Sequence, residues 1–515
     1  MNSFIQAHKS KVTGMINGWD RLRFRGTIRM LANVPGLWRF LRYTGRVLLK
    51  DFGKHAEELS QATRSQSLAV AEAQGRPVVH LQSPNVCKEE VAREIQKRDG
   101  VREGLICVLT AVEPCWTFNI KSNKAVGKLE LEHAYRKCQH LYHYMQHPEF
   151  GFMHVRLQTW LPFNAFVMVN GREWLGRQMD KAGIGYLRRE NCFAWISDGA
   201  RAQELLDRQV SFNWSEALGE LSAQVNPAWA SIRAGCAIGY YWSLDESEWA
   251  SDIMFKDQGA LTGLYGRLLR HGIEGLGSRD VLRFLGRKAE GGIPSRLVAD
   301  VVSDLKHRPE GIRIKHRVGA NSLKMYNKQG TVLRVETTLN NMRDFKAPEM
   351  KQDRVVWRPM RKGVSDMARR AELSQASNQR YLEAMAVVED TRPLKELTAG
   401  LAQRVVKDGR RARGLNLLGQ DARLLAVAGD GKFVLNGLRN KDMQGMLFGT
   451  PATSAAEARR RSGQVTRQLW LLRAHGIIRK VPKTHRYLVT DKGRRLITAL
   501  QAARDADVTK LAKAA

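Results

Sequence analysis

Residues 314–341 read IKHRVGANSLKMYNKQGTVLRVETTLNN, and their spacing is the densest chemical signal in the chain. Lys324, Tyr326 and Lys328 alternate along one predicted strand, and Arg334 and Glu336 along the next. Across a turn of odd length all five fall on one face. Lysines beside a tyrosine would depress its pKa and supply a phenolate for attack on a phosphodiester. The glutamate could hold a divalent metal. The competing reading is a charge-paired hairpin face that grips backbone phosphates.

Two other clusters invite chemistry. Asp245, Glu246, Glu248 and Asp252 form an acidic knot in a basic chain. Paired carboxylates can hold Mg²⁺ for phosphoryl transfer. The same run also suits a helix N-terminal turn, where carboxylates favour the dipole. Asp20 and Asp51 stand too far away in sequence to complete a visible triad. Cys138, His140, His143, His147 and His154 suggest a metal, but Pro148 and the Tyr142/Tyr144 alternation favour a strand. A strand points His140 and His143 to opposite faces, so no resident metal is assigned. A nuclease would bring Mg²⁺ as its only cofactor. Walker, GxGxxG, GxSxG, HExxH and kinase signatures do not occur.

Behind these residues stands a strong charge imbalance. Lys and Arg number 84 against 51 Asp and Glu, a net charge of +33. Folding does not require it, and a polyanion is the usual partner. Neither a membrane span nor a Lys-rich amphipathic anchor is evident, and the N-terminus has no apolar stretch of signal-peptide length. Six cysteines without a CxxC pair suit thiols in a reducing cytoplasm. Cytoplasmic localisation without a membrane partner is therefore expected.

The elements that must carry the candidates divide as follows. Residues 1–100 read as a basic, mainly helical region, with a helix near 88–98 before a buried strand, GLICVLTAV. There Arg23, Arg25 and Arg29, with Trp19, Phe24 and Trp38, could stack on unpaired bases. Residues 101–200 read as an α+β domain, with a hairpin around HPEFG, a helix ended by Gly183 and a strand near 185–196. Residues 201–400 read as helical, including PSRLVADVVSDLKHR at 294–308, with a β-hairpin at 311–340. A basic helix over 361–388 could lay Arg361, Lys362, Arg369, Arg370 and Arg380 along phosphates. A Gly/Arg linker at 405–414 follows.

A separate module is predicted over 415–505. In 401–515, 24 Lys and Arg stand against 8 Asp and Glu, nearly half the net charge. A first helix, a second capped by Asn440, and a third opened by Ser454 and Glu457 precede two strands around 482–485 and a last helix. Arg459, Arg460, Arg461, Ser462, Gln464, Thr466 and Arg467 line the polar side of the third helix. Arg and Gln can pair with guanine or adenine edges there. Lys480, Lys483, His485 and Arg486 would meet phosphate or the minor groove.

The pattern LLRAHGIIRKV…HRYLVTDKGRRL resembles the recognition-helix-to-wing segment of MarR-like winged-helix DNA-binding proteins. Tyr487, Val489, Thr490 and Gly493 take the places of their Tyr-x-Leu-Thr-x-x-Gly closure. The resemblance implies a winged helix on duplex DNA for this module alone. The K-x-Y-x-K…L-R-x-E run at 322–338 is similar to a stretch of rolling-circle replication initiators, although the His-x-His of those enzymes does not occur here.

The expected whole is an α+β multidomain chain of mixed helical and antiparallel hairpin domains, ending in a winged helix-turn-helix. It is read first as a non-enzymatic DNA-binding protein, a transcriptional regulator or mobile-element accessory factor. The alternative is a replication initiator or mobile-element nuclease, and the third reading is a structured-RNA binder.

Overall fold

The computed structural model describes residues 2–83, 85–232, 239–286, 300–308, 311–351, 354–386, 394–430, 437–482, 484–490, 492–493, 496–497, 499–500 and 503. The chain is α+β. Its centre is an 11-stranded sheet of order β10-β11-β12-β13-β9-β1-β6-β5-β4-β3-β2. The strands are β1 (Val12–Thr27), β2 (Val78–His80), β3 (Gly104–Asn123), β4 (Lys128–His147), β5 (Gly151–Gln158), β6 (Ala165–Asn170), β9 (Tyr241–Phe255), β10 (Val301–Arg308), β11 (Gly311–Val318), β12 (Asn321–Lys328) and β13 (Val332–Leu339). A small hairpin, β7 (Tyr186–Arg189) and β8 (Cys192–Ile196), stands apart from the sheet and touches β1, β9 and β13.

The helices used below are α1 (Val34–Arg39), α2 (Phe52–Ala73), α3 (Lys88–Asp99), α4 (Gly171–Ala182), α5 (Gly199–Ser211), α6 (Trp214–Val225), α7 (Gln258–Glu274) and α8 (Met367–Met385). Helices α3, α4 and α7 lie where periodicity and caps place them, and α4 ends at Gly183 with φ 67°. The β4–β5 hairpin closes across His147↔Gly151, at the HPEFG turn.

Three expectations about elements are corrected, and the N-terminal region holds, besides its helices, the strand β1, which runs between β6 and β9 near the middle of the sheet. The acidic knot does not open a helix. It lies in β9, whose alternation sends Glu248 and Asp252 to one face and Trp249, Ser251 and Ile253 to the other. Residues 301–308, expected helical, form strand β10. The remainder of that predicted helix, up to 299, lies outside the described residues. The hairpin expected at 311–340 is a three-stranded meander, β11-β12-β13.

One face of this sheet is closed by α7 and α8. Ile253, Ile314, Leu323, Val335 and Tyr381 share a core there. Asn378 of α8 is fully buried. It donates to Trp249 O, Val335 O and Ser251 Oγ and accepts from Thr337 Oγ1 at 2.7 Å, which fixes the helix on β9 and β13.

Strands β14 (Lys346–Lys351) and β15 (Arg354–Pro359) form a hairpin whose flanking Phe345 and Met360 pack with Leu339 of β13. A second unit follows, in which β16 (Val405–Lys407) and β17 (Arg410–Ala412) form a hairpin where a linker was expected. Helices α9 (Ala422–Ala428), α10 (Asn440–Phe448) and α11 (Ala455–Ala474) then precede the hairpin β18 (Ile478–Lys480) and β19 (Tyr487–Val489). Leu401, Leu424, Leu438, Val465, Leu472, Ile477 and Leu496 belong to a core made only of residues from 401–500. Ser454 caps α11 by accepting from Glu457 N at 3.2 Å, as its spacing predicts. Asn440 does not cap α10. It donates to Ser462 O and Thr466 Oγ1, both at 2.8 Å, and so ties α10 to α11. Among the described residues, no helix is long and apolar enough to cross a membrane.

Candidate functional site

The face of β12, β13, β9 and β1 opposite α8 holds a graded set of charges. Register places Lys324 opposite Glu336 and Tyr326 opposite Arg334. The turn from Lys328 to Val332 has three residues, Gln329 to Thr331, so the five predicted positions do share a face. Next to Glu336 comes Ala250 of β9, which puts Glu248 and Asp252 on that same face.

Asp20 joins them through an irregularity in β1. The β1–β9 register shifts between Trp19 and Arg21, leaving Asp20 as the extra residue. A bulge re-aims a side chain. The oxygens of Asp20, Glu248 and Glu336 all lie within 4.8 Å of one another, and each residue is buried. The neighbouring turn permits this approach. Gly171 opens α4 where a Cβ would stand 1.7 Å from Trp19 O, so only glycine fits. Asn170 caps α4 by accepting from Arg172 N and Glu173 N.

The deepest layer is a buried ionic cluster. Arg334 Nη1 meets Asp20 Oδ1 at 2.9 Å, and Arg334 Nε meets Asp252 Oδ1 at 2.5 Å. Arg172 Nη2 reaches Asp252 Oδ2 at 3.0 Å. Asn191 of the β7–β8 turn donates to Asp20 Oδ1 at 3.0 Å. Removing one member would leave a buried charge unpaired, so this layer is a rigid foundation.

Above it lies the reactive layer. Lys324 Nζ sits 2.6 Å from Glu336 Oε1 and 2.9 Å from Glu248 Oε1, an ammonium lodged between two carboxylates. Tyr326 Oη donates to Glu336 Oε2 at 2.9 Å. Burial and then Glu336 push the Glu248 carboxyl up to about 7. Burial also works to raise Glu336, yet Lys324 and Arg334 hold it below the ordinary carboxylate range. Tyr326 departs from expectation. Burial and the Glu336 charge drive its pKa well above 10, so the phenol is a protonated donor and not a lysine-stabilised phenolate.

The outer rim is open. Arg21, Arg23 and Arg25 alternate along β1 with side chains 42%, 46% and 41% exposed. Arg21 meets Glu248 at 2.7 Å and Glu246 at 2.8 Å, and Arg25 meets Asp245 at 3.1 Å. Arg313, Lys315 and Arg317 of β11 stand opposite Tyr326, Lys324 and Ser322, extending the cationic face. Sequence reasoning missed these three, although their R-x-K-x-R alternation is legible. It also missed Arg21 and set Asp20 aside as too distant in sequence, because their partners lie more than 200 residues away.

Other predicted contacts are placed differently. Arg334 is fully buried in the ionic cluster and cannot meet a phosphate, and Lys328 is 9% exposed. Arg370 is 2% exposed and donates to Leu244 O at 2.6 Å and to Leu339 O, closing strand ends, whereas Arg369 faces solvent and pairs with Glu372. Trp19 and Phe24 are core residues with no exposure, so they cannot stack on bases. His143 bonds Ser67 and His140 bonds Cys138 O. Cys236 lies outside the described residues.

On α11, Arg459, Arg460, Gln464 and Arg467 are exposed. Arg461 folds back onto Glu457 at 2.6 Å and Thr450 O, while Ser462 and Thr466 engage Asn440. Lys480 and His485 are exposed and Arg486 half-buried, and Lys483 lies outside the described residues.

No family model matches the chain, and neither the curated proteins nor the solved structures contain a match.

Proposed function

We propose that this protein cleaves phosphodiester bonds in DNA with a divalent metal held by Asp20, Glu248 and Glu336. The observation that carries the reading is the convergence of these carboxylates within 4.8 Å, beside Tyr326, on a sheet face rimmed by arginines. Three oxygen donors suit Mg²⁺, which would supply a Lewis acid for the negative charge on the phosphoryl and leaving oxygens. Lys324 now occupies the cation's place between two of the ligands. With the metal bound, its ammonium would turn to the substrate phosphate. Arg21, Arg23 and Arg25 would align the strand on the way to the acids.

Residues 415–505 are read as a winged helix-turn-helix that docks on duplex DNA. The helix order, the β18–β19 hairpin and the exposed Arg459, Arg460, Gln464 and Arg467 support this. A replication initiator or mobile-element nuclease combines both parts, whereas a regulator would leave the carboxylate site without a use.

Labelled single- and double-stranded DNA incubated with Mg²⁺ or Mn²⁺ tests the proposal. Cleavage that disappears in Glu336→Gln and Asp20→Asn supports it. Intact DNA on both substrates overturns it. A covalent DNA adduct lost in Tyr326→Phe would identify the Tyr326 oxygen as nucleophile. Free 5′-phosphate ends without an adduct would identify metal-bound water.

A further inference from the structure

Strands β3 and β4 are much longer than the sheet they join. β2 pairs with β3 only at Val108–Thr110, and β5 pairs with β4 only at His140–His147. Beyond those stretches β3 and β4 have no further strand neighbour, and residues 111–123 and 128–139 form a two-stranded ribbon, tied at its base by Thr159 N donating to Gln139 O. On it Trp116 and Tyr135 stand directly opposite, 65% and 61% exposed, with ring centroids 5.2 Å apart. Scattered exposed apolar residues are ordinary, but two large aromatic rings paired in register on a projecting ribbon, tilted 58° to one another, put two π-faces in water.

The ribbon does not stand alone. Phe118 and Leu131 share a core with Leu37, Phe40 and Leu41, which packs the α1 segment against it. That segment carries a second aromatic pair, Trp38 (38% exposed) and Tyr43 (67%), with the Arg42 guanidinium 5.0 Å and 5.5 Å from the two rings. Arg39, Arg42 and Arg46 are exposed, as are Arg136 and Lys137 beside Tyr135. Arg136 donates to Asn119 Oδ1 at 2.9 Å, not to a carboxylate. Between the ribbon and α2 lies a cleft of about 670 Å³ lined by Lys50, Arg64, Arg136 and Lys137 among others.

We infer that this ribbon and the α1 segment form a stacking platform for single-stranded nucleic acid. Unpaired bases would lie on Trp116, Tyr135, Trp38 and Tyr43, and the cations would follow the backbone. A duplex keeps its base faces inside the stack and gives these rings nothing to cover. An apolar protein surface would gain from the rings but not from five neighbouring cations. The inference shares only the nucleic-acid class of ligand with the function proposed above. It involves none of the metal-site residues.

The test is fluorescence anisotropy of a labelled oligothymidylate on the full chain in EDTA, where cleavage plays no part. Trp116→Leu/Tyr135→Leu should weaken binding by at least roughly 5- to 150-fold, the effect of losing one stacked base, because two rings are removed. Trp116→Phe/Tyr135→Phe should restore most of it, and duplex affinity should stay within about 2-fold. Equal oligothymidylate affinity of wild type and the leucine variant overturns the inference. So does a leucine variant that binds normally but changes oligomeric state in sedimentation, which would make the rings a contact between copies. Failure of cleavage with retained binding would count against the metal site alone.

Discussion

At the scale of single residues the decisive feature is the ammonium of Lys324 held by Glu248 and Glu336. If a divalent ion belongs there, Lys324 is its counterweight in the metal-free protein. Lys324→Met leaves two buried carboxylates facing each other, and breaking such a pair costs about 3–5 kcal/mol. The variant should therefore melt well below wild type in EDTA and recover when Mg²⁺ is added. Wild type should gain far less, because its lysine already balances the acids. Equal Mg²⁺ effects in both proteins would speak against a metal site. Half of this arrangement was legible in sequence: the K-x-Y-x-K and R-x-E spacing places five side chains on one face. The other half was not, since Asp20 reaches the triad through a bulge and through strand neighbours more than 200 residues away.

At the scale of elements, the sheet is sensitive to acid. Burial lowers His140, His143 and His316 to about 4, against about 6.5 in an unfolded chain. The unfolded state then binds more protons between these values. Stability present above pH 6.5 is lost as pH falls toward 4, by on the order of 1–3 kcal/mol per histidine. Chemical denaturation at stepped pH should show this decline, and His143→Gln should remove one histidine's share of it. Element α11 carries a separate expectation. Gln464→Ala with Arg467→Ala should reduce preference for a selected duplex by about 1–3 kcal/mol per lost base contact. Competition against scrambled duplex measures that, and an unchanged ratio would contradict the winged-helix reading. Strands β1 and β9 escaped sequence reasoning for a definite reason. Leu22 and Phe24 of β1 and Trp249 and Ile253 of β9 do face a core, but charged residues alternate with them whose partners lie more than 200 residues away, so the charges read as solvent-facing. Helices α4 and α7 were legible because their apolar stripes and caps are local, whereas the basic helix expected over 361–388 begins only at Met367 and buries Arg370, Ser374 and Asn378.

Across the whole molecule, a chain of net charge +33 presents exposed cations on at least three surfaces: the β1 rim, where they are paired with acids, the ribbon with α1, and α11. A chain that engages several at once should release many counterions. Neutralising 6–10 phosphates would lower affinity roughly 10³- to 10⁵-fold between 50 and 200 mM salt. Anisotropy titrations over that range give the slope, and a flat response would deny phosphate contacts a major part. On the proposed reading the surfaces would divide the labour: the α11 unit would locate duplex, the ribbon would hold an unpaired strand, and the carboxylates would act on it.

All of this turns on whether Asp20, Glu248 and Glu336 bind a metal. Electron paramagnetic resonance titration of the full chain with Mn²⁺ measures it directly. One saturable ion per chain is expected in wild type, with none at that site in Glu248→Gln/Glu336→Gln. A wild type that holds no ion, or a variant that binds Mn²⁺ as wild type does, would contradict the account.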